Sequence, residues 1–294
     1  MEDQAGVLRE MKKNDIGPII GRKKHNRDIR VIAVTSGKGG VGKTNITANF
    51  AYILSRMGKR ILLLDADAGL SNIDVILGIT PKYNLSHVLS GEKTLSEAIV
   101  EGPGRIKILP ASSGIEGMAE LSKGQKFTLL EELDSLDEEI DFMLIDTAAG
   151  IAGNVTYFNM AAKEIIVVVS TEPTSLTDAY ALIKILHQGY AAGRFMLLVN
   201  MAADTHEAMG VYTRLSNATK HFLDLPIEYI GYIPHDQNVP KAVKKQQLLA
   251  EAFPDSRASK SMSQIVAKLC RKKPEHYESG TIKFFDRAIV NKNG

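Results

Sequence analysis

The stretch TSGKGGVGKTN (35–45) contains residues whose types and spacing could hold phosphate groups. It includes the pattern GxxxxGK[ST], in which glycines let backbone N–H groups turn toward phosphates and a lysine reaches the β- and γ-phosphates. Lys43 is that lysine, and the hydroxyl group of Thr44 is placed to bind Mg²⁺. The stretch therefore predicts a site for a nucleoside triphosphate. It also carries a second lysine, Lys38, which its own phosphates do not require.

The neighbouring residues support this prediction. The apolar run RVIAVT (30–35) precedes the loop and is typical of a buried strand, while 43–57 has apolar residues at helical spacing and ends before Gly58. A helix N-terminus adds a field that favours anions. A glycine-rich turn with a purely structural role is the alternative, and the order strand, loop, helix disfavours it.

Carboxylates at the ends of two further predicted strands extend the candidate site. Asp65 and Asp67 end the run ILLLDAD, and Asp146 ends FMLID. The carboxyl ends of parallel strands meet at one edge of a sheet, where α/β proteins bind nucleotides. We expect Asp146 to hold Mg²⁺ through water, whereas two acids at a strand end can also be solvated caps. No glutamate follows Asp146, so a general base at that next position is absent.

These residues require a sheet to position them, and the sequence predicts one. Short apolar runs alternate with longer amphipathic stretches, which indicates strands buried on both faces and joined by helical crossovers. The predicted fold is α/β, a single doubly wound and mostly parallel sheet with short N- and C-terminal tails. We divide the chain into a tail (1–28), a nucleotide-binding domain (29–275) and a linker with a short amphipathic helix (276–294). The predicted strands are 30–35, 60–65, 105–109, 141–146, 164–170, 194–200 and 227–233.

Composition excludes several classes of protein. The chain has 294 residues, a net charge of +2 and a single cysteine, Cys270. One thiol excludes an internal disulfide and a cysteine-held iron–sulfur cluster, and it suits a reducing cytosol. The near-neutral charge argues against a specific nucleic-acid partner. No [NT]KxD motif for guanine is present, so we expect ATP rather than GTP.

The motif KGGVGKT (38–44) resembles the deviant Walker A motif of the MinD/ParA family of ATPases, and the resemblance runs from about residue 29 to residue 270. It implies a P-loop fold of the MinD type that binds ATP and Mg²⁺. Lys38 would then reach the phosphates bound by the other subunit of a nucleotide-sandwich homodimer, and Lys43 would serve its own. Asp67 would orient the attacking water, and Asp65 would join Thr44 and Asp146 around Mg²⁺.

The resemblance also implies further contact residues. Glu172, Ser175 and Asp178 fall where the family builds dimer or partner contacts, although a capped strand-to-helix turn would explain the same residues. The residues implied to bind the nucleotide are Gly37, Lys38, Gly39, Gly40, Val41, Gly42, Lys43, Thr44 and Asn45 at the loop and Asn200, Ile233, Pro234 and Asp236 at the base.

Within the family, the stretches DADAGLSNIDVILG (65–78), DTAAGI (146–151) and TEPTSLTDAYALIK (171–184) are similar to flagellar-number regulators of the FlhG/FleN type. This implies a slow, dimer-dependent ATPase that controls where or how many flagella are built. It would be cytoplasmic, and peripheral on the inner face of the cytoplasmic membrane when ATP is bound. Flagellar switch (C-ring) proteins and a flagellar transcription regulator are further candidate partners. The alternatives are a ParA-like DNA-partition ATPase, a MinD-type cell-division ATPase and a non-enzymatic adaptor.

Both tails resemble partner-binding elements. The run DQAGVLR (3–9) resembles the DQAxxLR element by which FlhG proteins activate the flagellar GTPase FlhF, and a passive leader is the alternative. There Gln4 would enter the GTPase site and Leu8 would anchor the helix, with Asp3 and Arg9 fixing its register. A helix over 280–294 would place basic residues opposite apolar ones and lie on anionic lipid, or else fold back onto the domain. Its predicted membrane contacts are Ile282, Phe284, Phe285 and Ile289.

Overall fold

The computed structural model describes residues 29–67, 73–111, 121–137, 139–162, 164–190, 194–272 and 284. The predictions for the N-terminal tail, at Asp3, Gln4, Leu8 and Arg9, lie outside these residues. So do those for Ile282, Phe285 and Ile289 near the C-terminus, whereas Phe284 is described.

Eight strands in the described part of the chain form one sheet in the order β3-β4-β2-β5-β1-β6-β7-β8. All neighbouring strands pair in parallel except β3 and β4, so the sheet is mostly parallel, as predicted. The seven predicted strands are confirmed. The two residues of β3 are too few to show a period in the sequence. The strands are β1 Arg30–Ser36, β2 Ile61–Ala66, β3 Val100–Glu101, β4 Lys107–Leu109, β5 Phe142–Ala149, β6 Glu164–Val169, β7 Phe195–Ala202 and β8 Glu228–Pro234.

Helices connect these strands and cover both faces of the sheet. The helix predicted over 43–57 is observed as α1, Lys43–Arg56, and Gly58 follows its end with φ +79°. Met57, the last of the apolar residues at helical spacing in 43–57, is exposed at the C-cap instead of packing on the core. The remaining helices are α2 Ile73–Leu77, α3 Leu85–Leu89, α4 Leu95–Ala98, α5 Lys123–Ser135, α6 Gly153–Ala161, α7 Pro173–Tyr190, α8 Thr205–Leu223, α9 Asn238–Lys244, α10 Leu249–Ala252 and α11 Arg257–Arg271.

The core lies on the two faces of the sheet, and β1 contributes to both. Ile32 and Val34 of β1 pack with α1 and α11, whereas Val31 and Ala33 pack with α5 and α6. Burial on both faces explains why the strands are apolar without alternation. None of the helices in the described ranges combines the length and apolar character needed to cross a membrane.

The strand order creates a crevice above β1. The chain continues from β1 to β2 on one side of the sheet, and β6 to β8 extend the sheet on the other side. Ligands bind outside the carboxyl ends of the strands at such a switch point. The loop 37–42 leaves β1 there, so the fold places the predicted phosphate loop in the crevice.

Candidate functional site

The glycine-rich loop adopts a backbone that side chains would disrupt. Gly40 and Gly42 have φ of +80° and +86°, a region that residues with a Cβ rarely adopt. A Cβ at Gly37 would overlap the backbone carbonyl of Asp178, so the start of the loop packs directly on α7. These glycines therefore fix the loop between β1 and the N-terminus of α1, where anions are favoured.

The loop lysine is paired with the carboxylate that ends β5. Lys43 Nζ lies 2.9 Å from Asp146 Oδ1, and the two side chains are only 7% and 0% exposed. Asp65 of β2 is in register with Asp146, and the N–H of Asp67 donates to Asp65 Oδ1 at 3.1 Å. The structure thus brings Lys43, Asp65 and Asp146 together at this edge, with the backbone of Asp67 beside them.

These residues fit Mg²⁺ and phosphate. Asp146 Oδ2 is buried and accepts no hydrogen bond from the residues that the structure describes, whereas buried polar atoms nearly always have a partner. Thr44 lies in the first turn of α1. The described ranges hold no group of three His, Cys, Asp or Glu side chains arranged for a metal ion. The carboxylate of Asp146 and the hydroxyl group of Thr44 are the kinds of oxygen ligand that Mg²⁺ takes together with phosphates and water.

The second loop lysine is held on the surface by its own chain. Lys38 Nζ lies 2.5 Å from Glu172 Oε2 and 2.9 Å from Thr174 Oγ1, both at the start of α7. Ser175 is 1% exposed, and its Oγ accepts the N–H of Ser170 at 3.0 Å. Ser175 therefore caps the strand-to-helix turn. This is the structural role that the sequence offered for this residue as the alternative to a dimer or partner contact. A partner contact through Glu172 or Asp178 stays a prediction.

The residues predicted to cradle the base line one pocket beside the loop. Its volume is about 180 Å³, and its walls include Asn45, Asn200, Ile233, Pro234 and Asp236. Asn200 is 7% exposed, and its Nδ2 donates to the carbonyl of Val41 at 2.8 Å, which ties the end of β7 to the phosphate loop. The pocket therefore adjoins the phosphate loop, and its wall is hydrogen-bonded to that loop.

Asp236 stabilises the wall of this pocket through hydrogen bonds to the backbone. Its Oδ1 accepts the N–H of Asn238 at 2.9 Å, and its Oδ2 accepts the N–H of Ala258 at 3.1 Å, which positions the N-termini of α9 and α11. Burial of the carboxyl group raises the pKa of Asp236, but these hydrogen bonds outweigh it, and the net pKa lies below its ordinary value. The carboxylate is therefore ionised and holds the pocket wall together.

Sequence reasoning missed several residues of the site. Met201 lines the pocket with a left-handed backbone (φ +60°), and Met262 reaches it from α11. Thr47 contacts Asp146 from α1, and Thr174 contacts Lys38. No sequence period signals these contacts, because each depends on side chains that only the tertiary structure brings together.

Phe284, the described residue of the predicted C-terminal helix, lies against the domain, as the folded-back alternative predicts for this residue. It is fully buried, its N–H donates to the carbonyl of Ala161 at 3.0 Å, and its ring meets those of Tyr157 and Phe158 edge-on at centroid distances of 6.0 and 6.4 Å. In this structure Phe284 contacts α6, so the predicted membrane contact requires a different state of the tail.

Comparisons with known proteins agree with this architecture. The AAA domain family matches residues 29–195. The antiactivator FleN of Pseudomonas aeruginosa is 43% identical over 262 residues, which cover 89% of this chain and 94% of FleN. The flagellum site-determining protein YlxH of Helicobacter pylori is 34% identical, with coverage of 88% and 90%.

Solved structures show the same fold. The cell division ATPase MinD of Pyrococcus furiosus matches with a TM-score of 0.69 and 24% identity, covering 82% of this chain and 98% of MinD. MinD of Pyrococcus horikoshii, complexed with Mg-ADP, matches with a TM-score of 0.67 and 25% identity, with coverage of 82% and 96%. Taken with the glycine loop, the Lys43–Asp146 pair and the doubly wound sheet, these matches show that the chain belongs to the FleN/FlhG group of the MinD/ParA family of P-loop ATPases.

Proposed function

We propose that this protein is an ATP-dependent dimerising switch with slow ATPase activity that regulates the number or placement of flagella. The observation that carries the proposal is the separation of the two loop lysines. Lys43 lies on Asp146 inside the site, whereas Lys38 is held at its rim by Glu172 and Thr174. A cation at the rim can reach phosphate charge on a second copy of the chain, as an arginine finger does.

The nucleotide chemistry follows from the carboxylates and the loop. The glycine loop and Lys43 would bind the phosphates, and Mg²⁺, when bound, would supply further positive charge to them. Thr44, Asp65 and Asp146 would hold that ion, and Asp67 would orient the attacking water. The residue after Asp146 is Thr147, which cannot act as the general base that a glutamate supplies in related ATPases. Turnover is therefore slow until a second copy supplies Lys38.

The flagellar role rests on similarity to FleN and YlxH, whose names describe an antiactivator and a flagellum site-determining protein. In the proposed cycle, the ATP-bound dimer binds the inner face of the cytoplasmic membrane through 280–294. The N-terminal segment, with Gln4 and Leu8 as its contact residues, stimulates the GTPase FlhF. Switch proteins and a transcription regulator are further proposed partners.

The enzymatic part is tested by measuring ATP turnover at increasing protein concentration. We expect a low rate per chain that rises with concentration, and its loss in Asp67→Ala. Asp137→Ala, which changes an exposed acid that the proposal does not use, is the matched control and should behave as wild type. A non-enzymatic adaptor would show no turnover and no difference between these proteins.

The partner role is tested with a peptide of residues 1–25 added to GTP-loaded FlhF. We expect faster GTP hydrolysis, and a loss of that stimulation with Gln4→Ala. If the peptide has no effect, or if Gln4→Ala stimulates equally, the segment does not act on FlhF.

A further inference from the structure

Thr47 lies one turn after Lys43 in α1 and is fully buried. Its Oγ1 lies 2.9 Å from the carbonyl oxygen of Lys43 and 3.2 Å from Asp146 Oδ1. A threonine hydroxyl carries one proton, so it donates fully to only one of these oxygens at a time. The hydroxyl group therefore has two acceptors within reach and can rotate between them.

Binding of a nucleotide would change which of these two oxygens needs the hydrogen bond from the Thr47 hydroxyl group. Lys43 Nζ now donates to the same oxygen, Asp146 Oδ1, at 2.9 Å. When Lys43 turns to the phosphates, Asp146 loses that donor in a fully buried position. A buried carboxylate oxygen without a donor is strongly unfavourable. The carbonyl of Lys43, in contrast, retains the backbone N–H of the next helical turn.

We propose that Thr47 is a positioning residue that takes over the hydrogen bond to Asp146 Oδ1 when Lys43 moves to the nucleotide. The hydroxyl group rotates from the Lys43 carbonyl to the carboxylate. It thereby holds Asp146 in the orientation that leaves Oδ2 free for water bound to Mg²⁺. This inference rests on the proposed binding of ATP with Mg²⁺, and it assigns to α1 a residue beyond the P-loop motif.

The competing explanation is a purely structural one. Threonine hydroxyls in helices commonly bond to a carbonyl of the preceding turn, with no role in ligand binding. Thr219 of α8 offers a matched control, because it is also fully buried and its Oγ1 donates to the Ser216 carbonyl at 3.1 Å. It lies on a helix that does not contribute to the nucleotide crevice. A structural role predicts the same effect of Thr→Val at both positions.

The test is calorimetric binding of a non-hydrolysable ATP analogue to the full chain, with Mg²⁺ and with EDTA. In Thr47→Val we expect the affinity for the Mg²⁺ complex to fall about tenfold, as for other residues that orient metal ligands, and the affinity in EDTA to change less than about twofold. Thr47→Ser should restore the wild-type values, and Thr219→Val should keep them. Thr47→Ala replaces the valine variant if thermal unfolding shows that the latter is not folded.

Equal losses with Mg²⁺ and with EDTA, or wild-type binding by Thr47→Val, would overturn the inference. Failure of the wild-type chain to bind the analogue with Mg²⁺ would overturn the proposed function itself, so the two failures are distinguishable.

Discussion

The pair of Lys43 and Asp146 shows how single residues prepare the site before nucleotide binds. Each charge is nearly excluded from solvent and is compensated by the other. An isolated buried charge is strongly unfavourable, so neither side chain could occupy this position alone. In the proposed site, the lysine for the phosphates is thus paired with the carboxylate for Mg²⁺ before nucleotide binds.

We therefore expect a double-mutant cycle to show strong coupling. Asp146→Leu and Lys43→Met should each lower the free energy of unfolding of the nucleotide-free protein by on the order of 3 kcal/mol, because each leaves one buried charge unpaired. The double variant should lose much less than the sum of the two, as measured by urea unfolding. Additive losses would mean that the pair is not coupled.

Lys38 and Glu172 form the other informative pair. Their side chains are 37% and 63% exposed, so the ion pair contributes at most about 1 kcal/mol, or about fivefold in an equilibrium constant. Because a symmetric dimer contains two such pairs, Glu172→Gln should free both Lys38 side chains and lower the dissociation constant of the ATP-bound dimer by up to about 25-fold. Glu131→Gln, an exposed acid on α5, should leave it unchanged. A weaker dimer in Glu172→Gln would instead indicate that Glu172 contacts the second copy.

At the scale of elements, the parallel strands and α1 were predictable, because burial on both faces produces continuous apolar runs and a helix face repeats with its own period. The phosphate loop was predictable from its motif. The three carboxylates were predictable because each follows or ends a strand, and the carboxyl ends of parallel strands meet at one edge of the sheet. The contact of Lys38 with Glu172 could not be predicted, because the two residues lie 134 positions apart in the sequence. The sequence predicted that Asn200 contacts the nucleotide base. Its hydrogen bond to the carbonyl of Val41 became visible only in the structure.

Helix α6 links the nucleotide crevice to the C-terminal tail. It begins at Gly153, just after the turn that follows β5, and Asn159 Nδ2 donates to Thr35 Oγ1 of β1 at 3.3 Å. The same helix provides the aromatic and carbonyl contacts of Phe284. One helix therefore contacts both β1 and Phe284, so we expect a shift of the strand ends on nucleotide binding to change the contacts of Phe284.

This link can be followed by fluorescence, because the chain contains no tryptophan. In Phe284→Trp we expect blue-shifted emission without nucleotide, and a change on adding an ATP analogue and anionic vesicles as the side chain leaves α6. Phe127→Trp, at an exposed position on α5, should emit as a solvated indole in the absence of vesicles. If the indole of the Phe284→Trp variant keeps its buried emission while the protein co-sediments with vesicles, the tail does not leave α6 for the membrane.

At the scale of the whole molecule, the proposed function makes a single copy of the chain incomplete as a catalyst. It contains a glycine loop, a pocket beside that loop and carboxylates at the strand ends, and it holds Lys38 at the rim of the site. A second copy would add the missing cation, so ATP would control assembly and assembly would control hydrolysis. Reversible assembly of this kind suits a regulator that must respond to nucleotide.

We propose above all that Lys38 acts on a second copy of the chain. The most direct measurement is sedimentation velocity of wild type and Lys38→Ala with ATP and with ADP, combined with ATP turnover. We expect a wild-type dimer with ATP and a monomer with ADP, and a folded Lys38→Ala monomer that binds ATP but neither dimerises nor hydrolyses it. A Lys38→Ala protein that forms a normal ATP-dependent dimer and hydrolyses ATP as wild type does would contradict this claim.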